Sequence, residues 1–420
     1  MILSALRRET VDNISRLSAT VQWEDSDRPT MDFYFGTNPE HGDALSESLD
    51  SFLVGCALPA MAHGEKRLKI DGAVCPELKD NVVDAMGWLR HWFYPDCTPP
   101  VIESKSIDDR TTDGGDGTGF FLSGGVDSLA ALRHNMLAYP RGHAGSFRYG
   151  LMIYGQNIES DTRMTTFEQA FKELQPVAQE AGMELMPVYT NIRDIEPLPI
   201  FFARTNGAIL AAVGHAFSNY FSTASIAATE NIPALTVIKK GFVKPLGSHP
   251  LVDSAYGNRR LRIRHVGLSL SRLDKARIVA DWQTGLQHVK VCGPNWPGQN
   301  CGQCEKCIRT MLAFLALGVL EKTKAFPADD VSAESVRKCA VKPPLAKGSF
   351  SNEYFYLELI PLLRQRGRHD LVAAIEEIIA IGRTKYHRRT FRESLKQMDQ
   401  EHFNNILVNL KRLVYNPNRK

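Results

Sequence analysis

The sequence predicts an α/β protein with a doubly wound parallel sheet, a zinc-binding segment, an N-terminal α+β domain and a helical C-terminal extension. Strand and helix patterns alternate in the middle of the chain, which is typical of a parallel sheet with helices on both faces. Four clustered cysteines indicate the metal-binding segment, and helical patterns alone follow after about residue 322, notably at 354–366, 370–381 and 401–414. A chain of 420 residues, 43% of them hydrophobic, can bury the cores of two or three domains.

Residues 1–106 are predicted to form the α+β domain. Extended segments near 20–23 and 31–35 come first. Helical patterns follow near 46–61 and 76–93, where apolar residues recur three and four positions apart. We therefore expect a small sheet covered by helices at this end of the chain.

A segment rich in glycine and aspartate, residues 107–118, is predicted to be a flexible linker because it holds few side chains that can pack. Beyond it, apolar strand patterns at 120–122, 150–154 and 184–189 alternate with helical patterns. Ligands of such sheets bind at the carboxyl ends of the strands. The predicted division of the chain is 1–106, 107–118, 119–318 and 319–420.

Charge and composition exclude several classes of protein. A formal net charge of +3 is too small for a general nucleic-acid coat. The basic segment from Arg383 onward is interpreted as a solvated helical face, with a local nucleic-acid site as the weaker alternative. Because the sequence contains neither the ~18 consecutive apolar residues of a membrane span nor a signal-peptide core, we expect a cytoplasmic protein with reduced cysteines and no membrane partner.

One motif joins a predicted strand to a predicted helix and consists of Ser123, Gly124, Gly125, Val126, Asp127 and Ser128. The glycines allow backbone N–H groups to converge on one point, and the helix start adds its positive end, so the motif predicts an anion-binding loop. Asp127 would repel a phosphate unless a cation lay between them, which indicates Mg²⁺. The loop lacks the lysine that ends a P-loop. A purely structural Ser/Gly turn is the alternative.

A second motif consists of Cys292, Cys301, Cys304 and Cys307. Two adjacent Cys-x-x-Cys steps in a turn-rich stretch suit a closed tetrahedral Zn²⁺ site, which is a structural type of site. An iron–sulfur cluster also accepts four cysteines, and free buried thiols are a further alternative.

The Ser-Gly-Gly-x-Asp-Ser motif resembles that of the PP-loop ATP pyrophosphatases, and the cysteine spacing is similar to that of one branch, the 7-cyano-7-deazaguanine synthases (QueC). Four further landmarks of that branch look similar here: Tyr154-Gly155-Gln156, Phe202-Ala203-Arg204-Thr205-Asn206, Pro250-Leu251-Val252-Asp253 and Lys275-Ala276-Arg277-Ile278-Val279. The resemblance covers roughly residues 119–318, which is about half of the chain.

The resemblance implies a PP-loop fold of the adenine nucleotide alpha hydrolase (HUP-like) type and a role for each matched residue. The implied catalytic residues are Asp127, Arg204 and Lys275. The implied residues for ATP and Mg²⁺ are the six loop residues together with Tyr154, Gly155 and Gln156. The implied substrate-binding residues are Phe202, Asn206 and Asp253.

Physical roles can be assigned to some of these side chains. Arg204 suits a bidentate pair with a carboxylate or phosphate, and Lys275 suits the charge on departing pyrophosphate. A surface arginine and a surface lysine are the alternatives. Asp253 suits either the donor edge of a purine or a second metal ion. Tyr154 and Phe202 can stack on a base, although aromatic residues beside strands are commonly part of a core.

The chain departs from the branch at Ile158, where a histidine is usual, and in the loop that ends at Asp253, which lacks the branch's cysteine and arginine. With its two extensions it resembles enlarged QueC-like proteins of bacterial antiphage defence operons. The resemblance implies that ATP adenylates the carboxylate of a substrate such as 7-carboxy-7-deazaguanine, and that an amine then forms an amide. Because isoleucine cannot transfer the protons that dehydration to a nitrile needs, we expect the reaction to stop at an amide. The two extensions are unnecessary for ammonia but could dock a large acceptor, so we expect a protein amine as the acceptor.

Three alternatives stay open. The protein could be a nitrile synthase that uses ammonia, with extensions that only form a homodimer or stabilise the sheet. It could modify RNA through another activated carbonyl, as other PP-loop enzymes do. It could also be a non-catalytic nucleotide-binding scaffold, although the intact Asp127 and both glycines argue against that reading.

Overall fold

The computed structural model describes residues 1–106, 115–154, 164–196, 199–237, 242–243, 245–292, 299–343 and 352–402, with the backbone alone at 199–202, 237, 242 and 386–402. The chain divides into two compact units. The first, called the sheet unit, comprises residues 1–300 and 323–325. The second, called the helical unit, comprises residues 301–322 and 326–420.

Ten strands of the sheet unit form one sheet within the described residues, in the order β12-β9-β6-β7-β8-β3-β2-β1-β4-β5. Together with two strands outside this sheet, the described strands are β1 (Ile2–Val11), β2 (Ile14–Gln22), β3 (Met31–Thr37), β4 (Arg67–Val74), β5 (Val101–Ser106), β6 (Gly117–Phe121), β7 (Tyr149–Tyr154), β8 (Glu184–Thr190), β9 (Phe221–Ala227), β10 (Thr236–Val237), β11 (Phe242–Val243) and β12 (Arg262–Val266). β10 and β11 form a separate antiparallel pair. The run from β12 to β8 is parallel throughout. The predicted α/β class with a mostly parallel sheet is therefore confirmed.

The helices of the sheet unit fall into two groups, which is the arrangement expected when helices cover both faces of a sheet. They are α1 (Asp50–Ala62), α2 (Pro76–Phe93), α3 (Val126–Ala138), α4 (Met164–Ala181), α5 (Ile192–Ile195), α6 (Pro199–Ala216), α7 (Ile232–Leu235), α8 (Pro250–Asp253), α9 (Arg272–Ala280) and α10 (Gln283–His288). One group consists of α3, α4, α9 and α10, and the other of α1, α2, α6 and α8. The buried rings of Phe33, Phe35 and Phe52 pack α1 against β3.

The strands of residues 1–106 continue the sheet of the central segment. β3 runs antiparallel to β8, and the hydroxyl of Thr37 donates to the Pro187 carbonyl at 2.7 Å. The Tyr34 N–H donates to the side-chain oxygen of Asn191 at 3.0 Å, just after β8 ends. The sheet therefore crosses the division predicted at 107–118.

The end of the predicted linker is also part of the sheet. Residues 117 and 118 belong to β6 and are buried, so the flexible-linker prediction is wrong for them. A Cβ added to Gly117 would lie 2.7 Å from the ring of Tyr149, so this glycine fits the core because it has no side chain. The sequence alone does not distinguish a glycine that allows a close contact in a core from a glycine of a flexible linker. Residues 107–114 lie outside the described residues.

The helical unit confirms the predicted helical region near the C-terminus. Its helices are α11 (Glu305–Leu317), α12 (Ala333–Arg337), α13 (Glu353–Leu357), α14 (Ile360–Gln365) and α15 (His369–His402). The helix predicted at 354–366 comes as two short helices, with Pro361 at the start of the second. Most of the helix predicted at 401–414 lies outside the described residues. Among the helices that the structure describes, none has both the length and the apolar character of a membrane span.

Candidate anion-binding site and cysteine cluster

The strand order of the parallel sheet reverses between β6 and β9. The chain passes from β6 to β7 and β8 on one side, and then returns to β9 and β12 on the other side of β6. Connections that leave two neighbouring parallel strands in opposite directions open a crevice at their carboxyl ends, where α/β proteins bind ligands. The segments at this crevice are residues 122–128 after β6 and residues 228–230 after β9.

A left-handed glycine and two serines shape the loop after β6. Gly124 has a φ of +72°, and an added Cβ would lie 3.1 Å from Leu174, so glycine is strongly favoured here. The hydroxyl of Ser128 donates to the Gly125 carbonyl at 3.0 Å and lies 3.1 Å from that of Ser123. α3 begins directly after Gly125, so the N–H groups of its first turn lie at the crevice.

Asp127, in the first turn of α3, binds two cationic side chains of α9. Its Oδ2 lies 2.6 Å from a guanidinium nitrogen of Arg272, and its Oδ1 lies 3.2 Å from the Lys275 Nζ. Burial opposes ionisation of Asp127, but the charges of Arg272 and Lys275 outweigh it and lower the pKa of this carboxyl group. The three side chains together therefore carry one net positive charge.

Lys275 joins the two sides of the crevice. Its side chain is 2% exposed, and its ammonium donates to the carbonyl of Ala228 and, at 3.4 Å, to that of Thr229. Both carbonyls follow β9, whereas Asp127 follows β6. The alternative interpretation of Lys275 as a surface lysine is therefore wrong.

A capping box fixes the start of α9. The hydroxyl of Ser271 accepts the Asp274 N–H, and the carboxylate of Asp274 accepts the Ser271 N–H. This start makes Arg272 the first residue of the helix and Lys275 the fourth, so both cations lie on one helix face. A local sequence signal thus places the two cations side by side.

A second cluster surrounds Asp253 near the carboxyl end of β12, the strand beyond β9. The Asp253 carboxylate accepts a hydrogen bond from the Ser248 hydroxyl at 2.6 Å and lies 2.8 Å from the His265 Nε2. Asp253 is 1% exposed. A Cβ added to Gly207 of α6 would lie 2.1 Å from the carboxylate. Asp253 is therefore held between polar partners on one side and the backbone of α6 on the other.

Aromatic residues from the end of α2 border this cluster. The guanidinium of Arg204 lies 5.3 Å from the ring centroid of Phe93 and 5.5 Å from that of Tyr94. The ring of Trp92 lies 5.4 Å from the ring of His249. Arg204 is half-buried, so it is not a simple surface arginine. Residues 1–106 thus contribute side chains to a cluster that the sequence assigned to the central segment.

The remaining predicted residues divide between core contacts and undescribed positions. The ring of Tyr154 lies 5.5 Å from that of Phe167 and 6.1 Å from that of Tyr189, as expected for the core alternative. Asn206 is half-buried in α6. The positions outside the described residues are Gly155, Gln156, Ile158 and the side chain of Phe202.

The four cysteines of the predicted metal site lie close together. The sulfur atoms of Cys292, Cys301, Cys304 and Cys307 all lie within 4.8 Å of one another. Those of Cys301 and Cys307 are 3.7 Å apart, close to the ~3.8 Å edge of a tetrahedron with metal–sulfur bonds of about 2.3 Å. The backbone N–H of Cys304 donates to the Cys301 sulfur at 3.3 Å. The cluster therefore fits a metal ion such as zinc.

Arg272, His265 and His249 were not among the residues that the sequence predicted. Arg272 had a local signal, because the capping box before Lys275 indicates a helix with both cations on one face. His265 had none, because its position beside Asp253 depends on how β12 and α8 pack, and adjacent residues in the sequence do not reveal that packing. His249 caps α8, the short helix that contains Asp253, so its position is set locally.

Residues 256–417 match a family model described as a family of unknown function (DUF6395). The matched range contains α9 and all four cysteines, but not the loop at 123–128. No curated protein and no solved structure matches the chain. The family match therefore assigns no activity to the protein.

The buried imidazole of His249 should make stability fall in mild acid. Burial lowers the pKa of His249 from 6.5 to about 4. Between these pH values the unfolded chain binds more protons than the folded chain, so the free energy of unfolding should decrease as pH falls from 6.5 towards 4. The His249→Asn variant keeps an acceptor for the Leu251 N–H that caps α8, but it cannot titrate.

Chemical denaturation at several pH values between 4 and 7 measures this effect. We expect the stability difference between the original protein and His249→Asn to shrink as the pH falls. A matched His134→Asn variant, at an exposed position of α3, should follow the original protein at every pH. A stability difference that stays constant over this range for His249→Asn would contradict the assignment.

Proposed function

We propose that the protein is an ATP-dependent carbon–nitrogen ligase of the PP-loop type, acting at the crevice between β6 and β9. A carboxylate oxygen of the substrate attacks the α-phosphorus of ATP, pyrophosphate leaves, and an acyl adenylate remains. The nitrogen of an amine then attacks the acyl carbon, AMP leaves, and the nitrogen loses a proton. The products are AMP, pyrophosphate and an amide.

The pairing of Asp127 with Arg272 and Lys275 at the start of α3 carries this proposal. The surplus positive charge and the N–H groups of the loop favour an anion with several oxygens, such as the pyrophosphate end of ATP. Lys275, 3.2 Å from Asp127, stabilises the charge that develops on the leaving pyrophosphate. ATP enters as its Mg²⁺ complex, in which the metal neutralises part of the phosphate charge.

The proposed substrate is a 7-deazaguanine-type base with a carboxylate, and the proposed acceptor is a protein amine. The support for the base is the resemblance of the loop and cysteine motifs to 7-cyano-7-deazaguanine synthases. The cluster around Asp253 adds chemical support, because a carboxylate accepts hydrogen bonds from the donor edge of a purine-like base. Rings such as Phe93 and Tyr94 supply apolar surface for stacking.

The four cysteines are proposed to hold one structural zinc ion. The sulfur positions support this, because they leave no place for an additional ligand in a tetrahedral site. Bound zinc links residues that lie apart in the sequence and contributes directly to folding. The cluster takes no part in the proposed reaction.

The first test concerns the products of ATP cleavage. Incubation with Mg²⁺-ATP and 7-carboxy-7-deazaguanine should yield AMP and pyrophosphate, measured by chromatography and a pyrophosphate assay. Asp127→Asn removes the anion that holds Arg272 and Lys275, so we expect turnover to fall roughly 100-fold. The exposed Asp116, just before β6, provides a matched Asp116→Asn control that should retain full turnover.

ADP and phosphate as the main products would contradict the PP-loop mechanism. Equal turnover of the Asp127→Asn and Asp116→Asn variants, with both folded by circular dichroism, would contradict the role of Asp127. Nucleotide binding without cleavage would favour the scaffold alternative.

The second test concerns the metal. Metal analysis of anaerobically purified protein should give one zinc per chain. Cys304→Ser should lower both the zinc content and the melting temperature, because structural zinc contributes folding energy. The half-buried Cys339 provides a control, since Cys339→Ser should leave the zinc content unchanged. Iron with acid-labile sulfide would identify an iron–sulfur cluster instead, and a folded protein without metal would contradict both assignments.

The third test concerns the acceptor. The enzyme, Mg²⁺-ATP and 7-carboxy-7-deazaguanine should be incubated with ammonium, with RNA and with proteins encoded near this one, and each product weighed by mass spectrometry. We expect the acyl group of the base to be added to a protein amine, and no nitrile. Conversion of the free base to the nitrile with ammonium, without any labelled protein, would identify a nitrile synthase. Labelled RNA would favour the RNA-modifying alternative.

A further inference from the structure

A short segment of the sheet unit, residues 289–292, lies directly against the anion-binding loop. The Lys290 N–H donates to the Gly124 carbonyl at 2.8 Å, and Lys290 is only 8% exposed. In a trans peptide the C=O and N–H point in opposite directions, so this bond also sets the direction of the Gly125 N–H. That N–H donates to the Ser123 hydroxyl at 3.3 Å, so its direction also affects a polar side chain of the loop. The position of the segment therefore affects the geometry of the loop.

The same segment is held by one buried side chain, Asn300. Its Oδ1 accepts the N–H groups of Val291 and Cys292 at 2.8 and 3.1 Å. Its Nδ2 donates to the carbonyls of Val289 and Ala325 at 3.0 and 2.8 Å. Asn300 is 2% exposed. The amide thus makes four hydrogen bonds to the backbone, three of them to residues 289–292.

The other end of this network is also anchored. The Asn300 N–H donates to the Ala325 carbonyl at 3.1 Å, and the Ala325 N–H donates to the Thr323 hydroxyl at 3.1 Å. That hydroxyl donates to the Leu286 carbonyl at 2.6 Å, at the end of α10. Hydrogen bonds through Ala325 and Thr323 therefore connect Asn300 to α10 within the sheet unit.

Asparagine is well suited to this position because it is both a double donor and a double acceptor. Alanine would remove the side-chain partner of the Val291 and Cys292 N–H groups and of the Val289 carbonyl, which is costly in a buried backbone. The Ala325 carbonyl would keep its bond from the backbone N–H of residue 300. Aspartate would keep the acceptor but lose both donors. Asn300 immediately precedes Cys301 in the sequence, and it binds the backbone of Cys292 directly. It therefore orients a candidate metal ligand and the segment against the loop at the same time.

We infer that Asn300 is a positioning residue that couples the cysteine cluster to the anion-binding loop. Its hydrogen bonds hold Cys292 in place for metal and hold the Lys290 N–H against the Gly124 carbonyl. Residues that orient metal ligands commonly change metal affinity by 10- to 100-fold when they are replaced. The inference rests on the proposed function, because it assumes zinc at the cysteines and the pyrophosphate end of ATP at the loop.

The test compares Asn300→Ala with a matched Asn135→Ala variant. Asn135 is also buried, and its amide donates to the Gly145 carbonyl and accepts the Phe147 N–H, both at 2.9 Å, away from the loop and the cysteines. Zinc release to a chromophoric chelator and the affinity for inorganic pyrophosphate are measured for both variants, together with the melting temperature. Neither of the first two readouts requires catalytic activity.

We expect Asn300→Ala to weaken zinc retention about tenfold or more and to weaken pyrophosphate binding about fivefold, the usual effect of one lost hydrogen bond. Asn135→Ala should lower the melting temperature but leave both affinities within about twofold of the original protein. Loss of zinc retention alone, with pyrophosphate binding unchanged, would overturn the coupling. Equal effects of the two variants would also overturn it.

A second measurement on the original protein keeps the inference testable if Asn300→Ala does not fold. Pyrophosphate added to the zinc-loaded protein should slow hydrogen exchange of the amides at 289–292. Unchanged exchange there, with pyrophosphate bound, would overturn the inference while leaving the proposed function intact. An original protein that binds neither zinc nor pyrophosphate would overturn the proposed function, and the inference with it.

Discussion

The reversal of strand order between β6 and β9 is the constraint on which the candidate site depends. It brings a loop that starts a helix, residues 122–128, beside carbonyl groups that follow the neighbouring strand. α9 then supplies Lys275, whose ammonium bonds to both sides of the crevice. A buried charged ammonium is stabilised by a carboxylate and by carbonyl oxygens that accept its hydrogen bonds. The topology of the sheet creates that environment, and the ion pair with Asp127 occupies it.

The sequence predicted the parts of this arrangement that depend on neighbouring residues. The serine and glycine loop and the cysteine spacing are both local patterns, and each coincides with a cluster in the structure. The capping box at the start of α9 is a third local pattern, but it was not among the predicted features. The pairing of β3 with β8 could not be predicted, because it joins residues more than 150 positions apart. The same holds for His265 beside Asp253, whose contact depends on tertiary packing. Gly117, which is buried in β6, lay within the predicted linker because a glycine at a close contact cannot be told from a linker glycine by composition.

The continuous sheet changes the interpretation of the N-terminal region. If residues 1–106 formed an independent domain, their main use would be to bind a partner. Instead they extend the sheet through β3, and the end of α2 brings Phe93 and Tyr94 against Arg204. The amino-acid sequence of this region is therefore constrained both by packing in the core and by its contacts with the candidate substrate cluster. The alternative that the extension stabilises the sheet therefore explains part of its length, and its aromatic residues also border the candidate substrate cluster.

The presence of a carboxylate within a candidate anion-binding site has a physical explanation in the contacts of Asp127. Alone, a carboxylate would oppose phosphate binding, which is why the sequence pointed to Mg²⁺. Paired with Arg272 and Lys275, it holds two cations close together that would otherwise repel each other. The cost of bringing these charges together is met during folding, so a multiply charged ligand meets a preorganised site. In the proposed site Asp127 would thus act through the cations it holds, whether or not a metal ion also binds to it.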